Sequence, residues 1–199
     1  MPLTDPIVIA TRNAHKLREI TRILTDLPGT IASLADYPDI PEIEETGDTF
    51  EANALIKARA VFAATGKLSL SDDSGLEVDA LDGAPGVYSA RYAGPEKSTP
   101  ANNARLLQEL GAFPGHHREA QFRCVVAIVG DGIEEIVEGI VRGRIAAAPR
   151  GTGGFGYDPL FIPDGYRETF AELGRDVKNR ISHRARAFQR AAIRLHTLR

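Results

Sequence analysis

The first patterned segment is Ile7-Val8-Ile9-Ala10, an unbroken apolar run. A run this short and this apolar predicts a strand buried on both faces. It passes into Thr11-Arg12-Asn13-Ala14-His15-Lys16, after which Leu17, Ile20, Ile23, Leu24 and Leu27 share one helical face. Pro28-Gly29 ends that helix. Residues 36–47 are rich in acids and prolines and read as a loop. Asp48 or Thr49 then caps a helix running to about Ala64, with Phe50, Ala54, Ile56, Ala60 and Val61 among its apolar positions and Gly66 at its end.

Leu68 to Leu70 reads as a strand ending at Ser71-Asp72-Asp73-Ser74-Gly75, and a loop carries the chain on to Tyr92. A helix is expected near Pro100 to Leu110. Phe122 to Val129 and Ile133 to Val141 flank Gly130-Asp131-Gly132, and Asp-Gly is a strong hairpin signal. Gly151 to Gly156 is a glycine-rich loop, and a basic helix begins near Ser182. Strands and helices alternate at first and then give way to an antiparallel pair, so the fold class expected is α/β with a mixed sheet.

The 199 residues fit one domain, or two lobes sharing a cleft. No composition break marks an independent second domain, so residues 1–199 are expected to act as one. A chain of this length can bury roughly 70% of its unfolded surface. The net charge of -3 argues against a general nucleic-acid binder but leaves room for a small anionic ligand in a local cationic site. Cys124 lies inside an apolar run and reads as a core residue, so no disulfide is expected. No apolar run approaches the roughly 20 residues needed to cross a bilayer, and no signal peptide is apparent. A soluble, cytoplasmic protein is expected.

Several segments carry chemistry. Thr11 to Lys16 joins a strand to a helix start, where backbone N–H groups and the helix dipole favour an anion; its plainer reading is a capped helix with a solvated lysine. Glu44, Glu45, Asp48, Glu51, Asp72 and Asp73 offer oxygen ligands for a hard cation, which takes one or two carboxylates plus substrate phosphates. Neighbouring strand residues point to opposite faces, so one of Asp72 and Asp73 faces a given site. The competing reading of Asp-Ser-Gly is a solvated turn. Asn53 and Lys57 share a helical face, although a surface lysine is the commoner outcome. In Gly151-Thr152-Gly153-Gly154-Phe155-Gly156-Tyr157-Asp158-Pro159, glycines allow close backbone approach and Phe155 or Tyr157 offers a ring to stack on a base. Ser182-His183-Arg184 begins the last helix, with Lys178 just upstream; a solvated basic face is its plainer reading, and His183 and Arg184 also offer donors to a purine carbonyl oxygen. No Ser-His-Asp arrangement and no zinc-ligand spacing is present.

In this order these segments resemble the inosine triphosphate pyrophosphatase family, the XTP/dITP diphosphatases. The match is carried by residues 11–16, by Glu44-Glu45-Thr46-Gly47-Asp48-Thr49-Phe50 and by Asn53-Ala54-Leu55-Ile56-Lys57-Ala58. It continues through Asp72-Asp73-Ser74-Gly75-Leu76, residues 83–92, Phe155-Gly156-Tyr157-Asp158-Pro159 and Ser182-His183-Arg184. The resemblance implies an elongated mixed sheet in two lobes around a central cleft, a homodimer, and Mg²⁺-dependent hydrolysis of ITP, dITP and XTP to the monophosphate and pyrophosphate, which would cleanse the nucleotide pool. By position, Thr11, Arg12, Asn13, Ala14, His15, Lys16 and Lys57 would hold the triphosphate. Asp73 would be general base and metal ligand, Ser74 a substrate contact, and Glu45 the other metal carboxylate, with Glu44 the alternative in register. Phe155, Gly156, Tyr157, Asp158, Lys178, His183 and Arg184 would enclose the nucleoside. Many members carry a glutamate directly before the asparagine that matches Asn53; here that position is Ala52. The rival functions are a pyrophosphatase for modified pyrimidine triphosphates and a nucleotide-binding sensor without catalysis.

Overall fold

The computed structural model describes residues 6–25, 27, 29–111 and 117–197. Six strands form one sheet: β1 (Ile7–Ile9), β2 (Ile31–Ser33), β3 (Ser69–Val78), β4 (Glu119–Gly130), β5 (Ile133–Ile145) and β6 (Phe161–Pro163). Their order is β2-β1-β3-β4-β5-β6. β1 runs parallel to both β2 and β3, whereas β5 and β6 are antiparallel, so the sheet is mixed and the α/β expectation holds. The helices are α1 (Ala14–Ile23), α2 (Phe50–Thr65), α3 (Thr99–Gly111), α4 (Phe170–Ile181) and α5 (His183–Thr197).

The chain divides into two compact units. The first comprises residues up to Asp73 together with Cys124–Gly139 and the segment from Arg184 onward. Its core packs Ile7, Ile9, Ile20, Leu24, Leu70, Cys124, Val126, Ile128, Phe188 and Leu195 on one sheet face. Val8, Ala10, Leu34, Ile40 and Val61 pack on the other. β1 therefore meets apolar neighbours on both sides, which is why its sequence shows no alternation. The second unit comprises Ser74–Arg123 and Ile140–His183. Leu76, Val78, Leu106, Phe122, Val141, Tyr157, Leu160, Phe161 and Phe170 form its core. Phe122 and Phe161 meet in a tilted contact, ring centroids 4.7 Å apart.

Local capping sets the helix starts. Asn13 caps α1, its Oδ1 accepting from the N–H groups of His15 (2.9 Å) and Lys16 (3.3 Å). Thr49 caps α2 by accepting from Ala52 N–H, and Gly66 follows its last turn. α1 stops at Leu24, before Leu27; Pro28, the expected stop, lies outside the described residues. The buried stripe of α2 is Phe50, Asn53, Ala54, Lys57, Ala58 and Val61, so two polar side chains lie on the face turned inward.

One expectation changes, and three elements are new. The strand predicted to end at Ser71–Gly75 continues unbroken to Val78, so Asp72, Asp73, Ser74 and Gly75 are strand residues, not a turn. The helix α4 and the short strands β2 and β6 were not anticipated from the sequence pattern. No helix among the described residues is long and apolar enough to cross a membrane.

Candidate active site

Because β3 alternates faces, its two adjacent acids enter two different environments. Asp72 points with Leu70 toward α1 and α5. Its Oδ2 accepts from Lys16 Nζ at 3.1 Å and from Arg184 Nε and Nη2 at 3.3 and 3.2 Å. Arg184 also donates through Nη1 to Glu19 at 2.7 Å. Asp72 is 2% exposed and Arg184 1%. Burial alone would push the Asp72 carboxyl up, but Lys16, Arg184 and Lys57 outweigh it and hold the pKa well below the usual carboxylate range. Arg184 shows the mirror case: burial opposes its charge, and Asp72 and Glu19 more than restore it. Cys124 Sγ approaches the same Asp72 oxygen at 3.9 Å. Burial, followed by the Asp72 charge, pushes this thiol far up, so it is an unreactive core residue as the sequence suggested.

Asp73 points with Ser71 toward α2. Ser71 Oγ donates to the Ala54 carbonyl at 2.6 Å, which seats the strand on the helix. Asn53 Nδ2 donates to Asp73 Oδ2 at 3.1 Å, and Lys57 Nζ lies 3.8 Å from Asp73 Oδ1. Lys57 also donates to Glu45 Oε1 at 2.5 Å and to the Asp72 carbonyl at 2.8 Å. It is 8% exposed, which excludes the solvated-surface reading. Burial works against its ammonium, but Asp73, Asp72 and Glu45 together raise the pKa, so Lys57 is a fixed cation. Asp73 goes the other way from Asp72. Burial raises its pKa, Lys57 and Lys16 pull it down, Glu45 raises it further, and the balance is upward. Two neighbouring acids thus behave as opposites: Asp72 is a permanent anion and Asp73 an acid whose ionisation is costly.

Of the acidic loop, Glu45 is the carboxylate that joins this cluster, whereas Glu44 is exposed. Among the described residues, no group of three or more His, Cys, Asp or Glu side chains is arranged to hold a metal alone. Glu45 and Asp73 nevertheless suit a hard divalent cation that fills its remaining positions with phosphate and water. Each is an oxygen ligand, and burial, with a smaller push from Glu45, lifts the Asp73 pKa, a cost that a bound cation offsets.

The other phosphate candidates sit at the head of α1. Arg12, Asn13, Ala14 and His15 are exposed, and Thr11 and Lys16 half-buried. Thr11 Oγ1 accepts from Asn13 N–H at 3.1 Å. Arg12 donates to the Leu34 and Ile40 carbonyls and so ties the segment to the next loop.

In the second unit, residues 150–159 close into a tight loop: Arg150 N–H donates to the Pro159 carbonyl at 2.9 Å and Asp158 N–H to Phe155 at 3.2 Å. Asp158 Oδ2 accepts from Phe155 N–H at 2.7 Å and from Lys178 Nζ at 2.6 Å. Lys178 then lies over the Phe155 ring, 4.4 Å from its centroid. Asn103 of α3 donates to the Gly156 carbonyl at 3.3 Å. Of the two rings offered for stacking, Tyr157 is turned into the core, its hydroxyl donating to the Ser89 carbonyl at 2.9 Å, while Phe155 stays half-buried at the loop tip. His183 is buried and stacks on Phe122, rings 4.7 Å apart and 12° from parallel. Ser74 is half-buried next to Asp73.

Gly154 makes the loop possible. Its φ is +74°, and a Cβ there would overlap the Asp158 carboxylate. Gly154→Ala is expected to cost about 1–2 kcal/mol from the left-handed backbone alone. That lowers the unfolding midpoint by roughly 2–8 °C for a chain of this size. A melting curve checks it; an unchanged midpoint would mean that the loop relaxes freely.

The fold and these residues define a class: an α/β protein whose sheet presents a buried acid beside a buried lysine, with a capped helix start next to them. Within that class the chain belongs to the Ham1 family, whose model matches residues 7–193. It is 55% identical to a dITP/XTP pyrophosphatase of Geobacter sulfurreducens over 182 residues, covering 91% of this chain and 92% of that one. A dITP/XTP pyrophosphatase of Streptomyces coelicolor is 48% identical over 186 residues, covering 92% and 93%. Among solved structures, a HAM1 protein from Coxiella burnetii is similar with a TM-score of 0.89 at 41% identity, over 96% of this chain and 98% of that one.

Proposed function

We propose that this chain hydrolyses the deaminated purine nucleoside triphosphates dITP, ITP and XTP to the monophosphate and pyrophosphate, its two units acting as one enzyme. The observation that carries the proposal is the Asp73–Asn53–Lys57–Glu45 cluster, in a chain 55% identical to a dITP/XTP pyrophosphatase. Asp73 orients a water and takes its proton as the oxygen attacks the α-phosphorus; the bond from that phosphorus to the bridging oxygen breaks and pyrophosphate leaves. Lys57 and Lys16 bind phosphoryl oxygens and neutralise the charge that grows on the leaving group. Each ammonium has three donors; Asp72 takes one from Lys16, and Glu45 and the Asp72 carbonyl take two from Lys57, so each keeps a donor for a phosphate. The dipole of α1, whose first turn holds no acid, adds to the same attraction. Glu45 and Asp73 would hold the divalent cation, Mg²⁺ in this reading, and when bound it screens the phosphate charge facing the water.

Base recognition falls to Phe155 and Lys178. Hypoxanthine and xanthine carry a carbonyl oxygen at position 6, an acceptor for a lysine or backbone donor; adenine carries an amine there. Confronting donor with donor leaves buried groups unpaired, at about 1–3 kcal/mol each, or roughly tenfold to a hundredfold discrimination. Arg184 is committed to Asp72 and Glu19, so in this reading it acts behind the phosphate residues and not on the base. By the family resemblance we further assign a homodimer working in the cytoplasm on free nucleotides, with no nucleic-acid or membrane partner.

The test is pyrophosphate release from dITP, ITP, XTP, dATP, dGTP, dUTP and dTTP, with Mg²⁺ and with chelator. Metal-dependent release strongest for dITP, ITP and XTP is expected. Equal turnover of a pyrimidine triphosphate would overturn the purine assignment, and no turnover with any divalent metal would overturn the enzymatic one.

A further inference from the structure

The inward face of α2 carries Asn53, 1% exposed, and neither polar end of its amide is left to chance. Gly47 N–H points at one end, 2.8 Å away. A backbone N–H can only donate, so the atom facing it is Oδ1. The amide is thereby fixed, and its NH₂ is turned to Asp73 Oδ2 at 3.1 Å. The seat is tight as well as directional. A Cβ on Gly47 would lie 2.6 Å from Ala52 Cβ and 2.9 Å from Asn53 Oδ1. With Oδ2 held by Asn53 and Oδ1 3.8 Å from Lys57, the Asp73 carboxylate has one defined orientation.

We infer that Asn53, locked by the Gly47 backbone, is the positioning residue for Asp73: it donates to Oδ2 and holds the plane of the carboxylate that takes the proton. This rests on the reading of Asp73 as the base. A freely rotating carboxylate would spend much of its time with neither oxygen in line, and the donor also favours the anion that must accept the proton. Gly47 belongs to the same device, since its N–H decides which end of the amide Asp73 sees.

The test uses Asn53→Leu, which keeps the volume but removes both hydrogen bonds, with Asp73→Asn and the double variant. The readouts are steady-state hydrolysis of dITP, binding of a non-hydrolysable α,β-methylene analogue of dITP, and thermal unfolding. The expected result for Asn53→Leu is a kcat lower by about tenfold to a hundredfold, the worth of a hydrogen bond to a charged group, with analogue affinity within about threefold. In the Asp73→Asn background the same change costs no more than about twofold, because the carboxylate it orients is gone. Should Asn53→Leu fold poorly, Gly47→Ala pushes the amide off its seat from the other side and is expected to lower kcat in the same way. A kcat within about twofold of the parent in the folded variant, or equal losses with and without Asp73, would overturn the inference. Near-normal turnover by Asp73→Asn itself would overturn the reading of the base, which is a different failure.

Discussion

Asp73→Asn is expected to lower kcat by about 10²–10⁴-fold while KM changes only a few-fold, the signature of a lost proton acceptor. The same variant is expected to be at least as stable as the parent. The folded protein raises the Asp73 pKa, so at neutral pH its ionised form is held at a cost relative to the unfolded chain. An asparagine removes that cost, and its carbonyl oxygen can still accept from Asn53. Activity and stability therefore move in opposite directions, as they do where a strained functional group is relaxed. Steady-state kinetics on dITP beside a melting curve decides this. Loss of activity together with a large fall in melting temperature would make Asp73 a structural acid and remove it from the mechanism.

Arg184→Met should do the reverse: its first effect is on stability. The side chain supplies two of the donors on Asp72 and the partner of Glu19. Taking away one member of a buried ion pair costs about 3–5 kcal/mol, because the partner charge stays buried. For a chain of this length that is roughly 6–20 °C in unfolding midpoint, against a total stability on the order of 5–15 kcal/mol. The pH dependence follows from the direction of the Asp72 shift. A depressed carboxylate contributes stability above its unfolded pKa of about 3.9 and loses it as the pH falls toward the folded value. Without Arg184 that depression shrinks, so the deficit of the variant is largest near neutral pH and narrows below about pH 4. Melting curves across that range are the check; a deficit independent of pH would point to lost packing of the arginine stem.

The elements legible in the sequence were those specified by neighbours along the chain. The apolar run of β1, the Thr49 cap of α2 and the Asp131-Gly132 turn between β4 and β5 each need only a few residues to declare themselves. Asp72-Asp73-Ser74-Gly75 has turn chemistry that hides the second half of β3, and what overrides it is remote. Arg184 lies 112 positions from Asp72, and no local pattern announces that a cation will meet an acid inside a strand. α4 did carry a signal, the capping box of Thr169 and Glu172, but Gly174 interrupts the helix two residues later and breaks its period. β2 and β6 are three residues each, too short for alternation to register.

At the site, the shared face of Asn53 and Lys57 could be read from their spacing, but its burial could not, since a lysine at an inward position is disfavoured until its carboxylates are known. Phe155 and Tyr157 looked equivalent as stacking rings; which one enters the core depends on the Ser89 carbonyl, 68 positions away from Tyr157. Glu19 gave no sign of its attachment to Arg184, 165 positions on.

The division of the chain limits how it can be cut. The backbone passes from one unit to the other between Asp73 and Ser74, Arg123 and Cys124, Gly139 and Ile140, and His183 and Arg184. Neither unit is a continuous stretch, so no single truncation, gene fusion or exon-like exchange can deliver one without fragments of the other. Two of these crossings fall inside motifs, at Asp73-Ser74 and at His183-Arg184. Any single break in the backbone therefore parts residues of the first unit from one another.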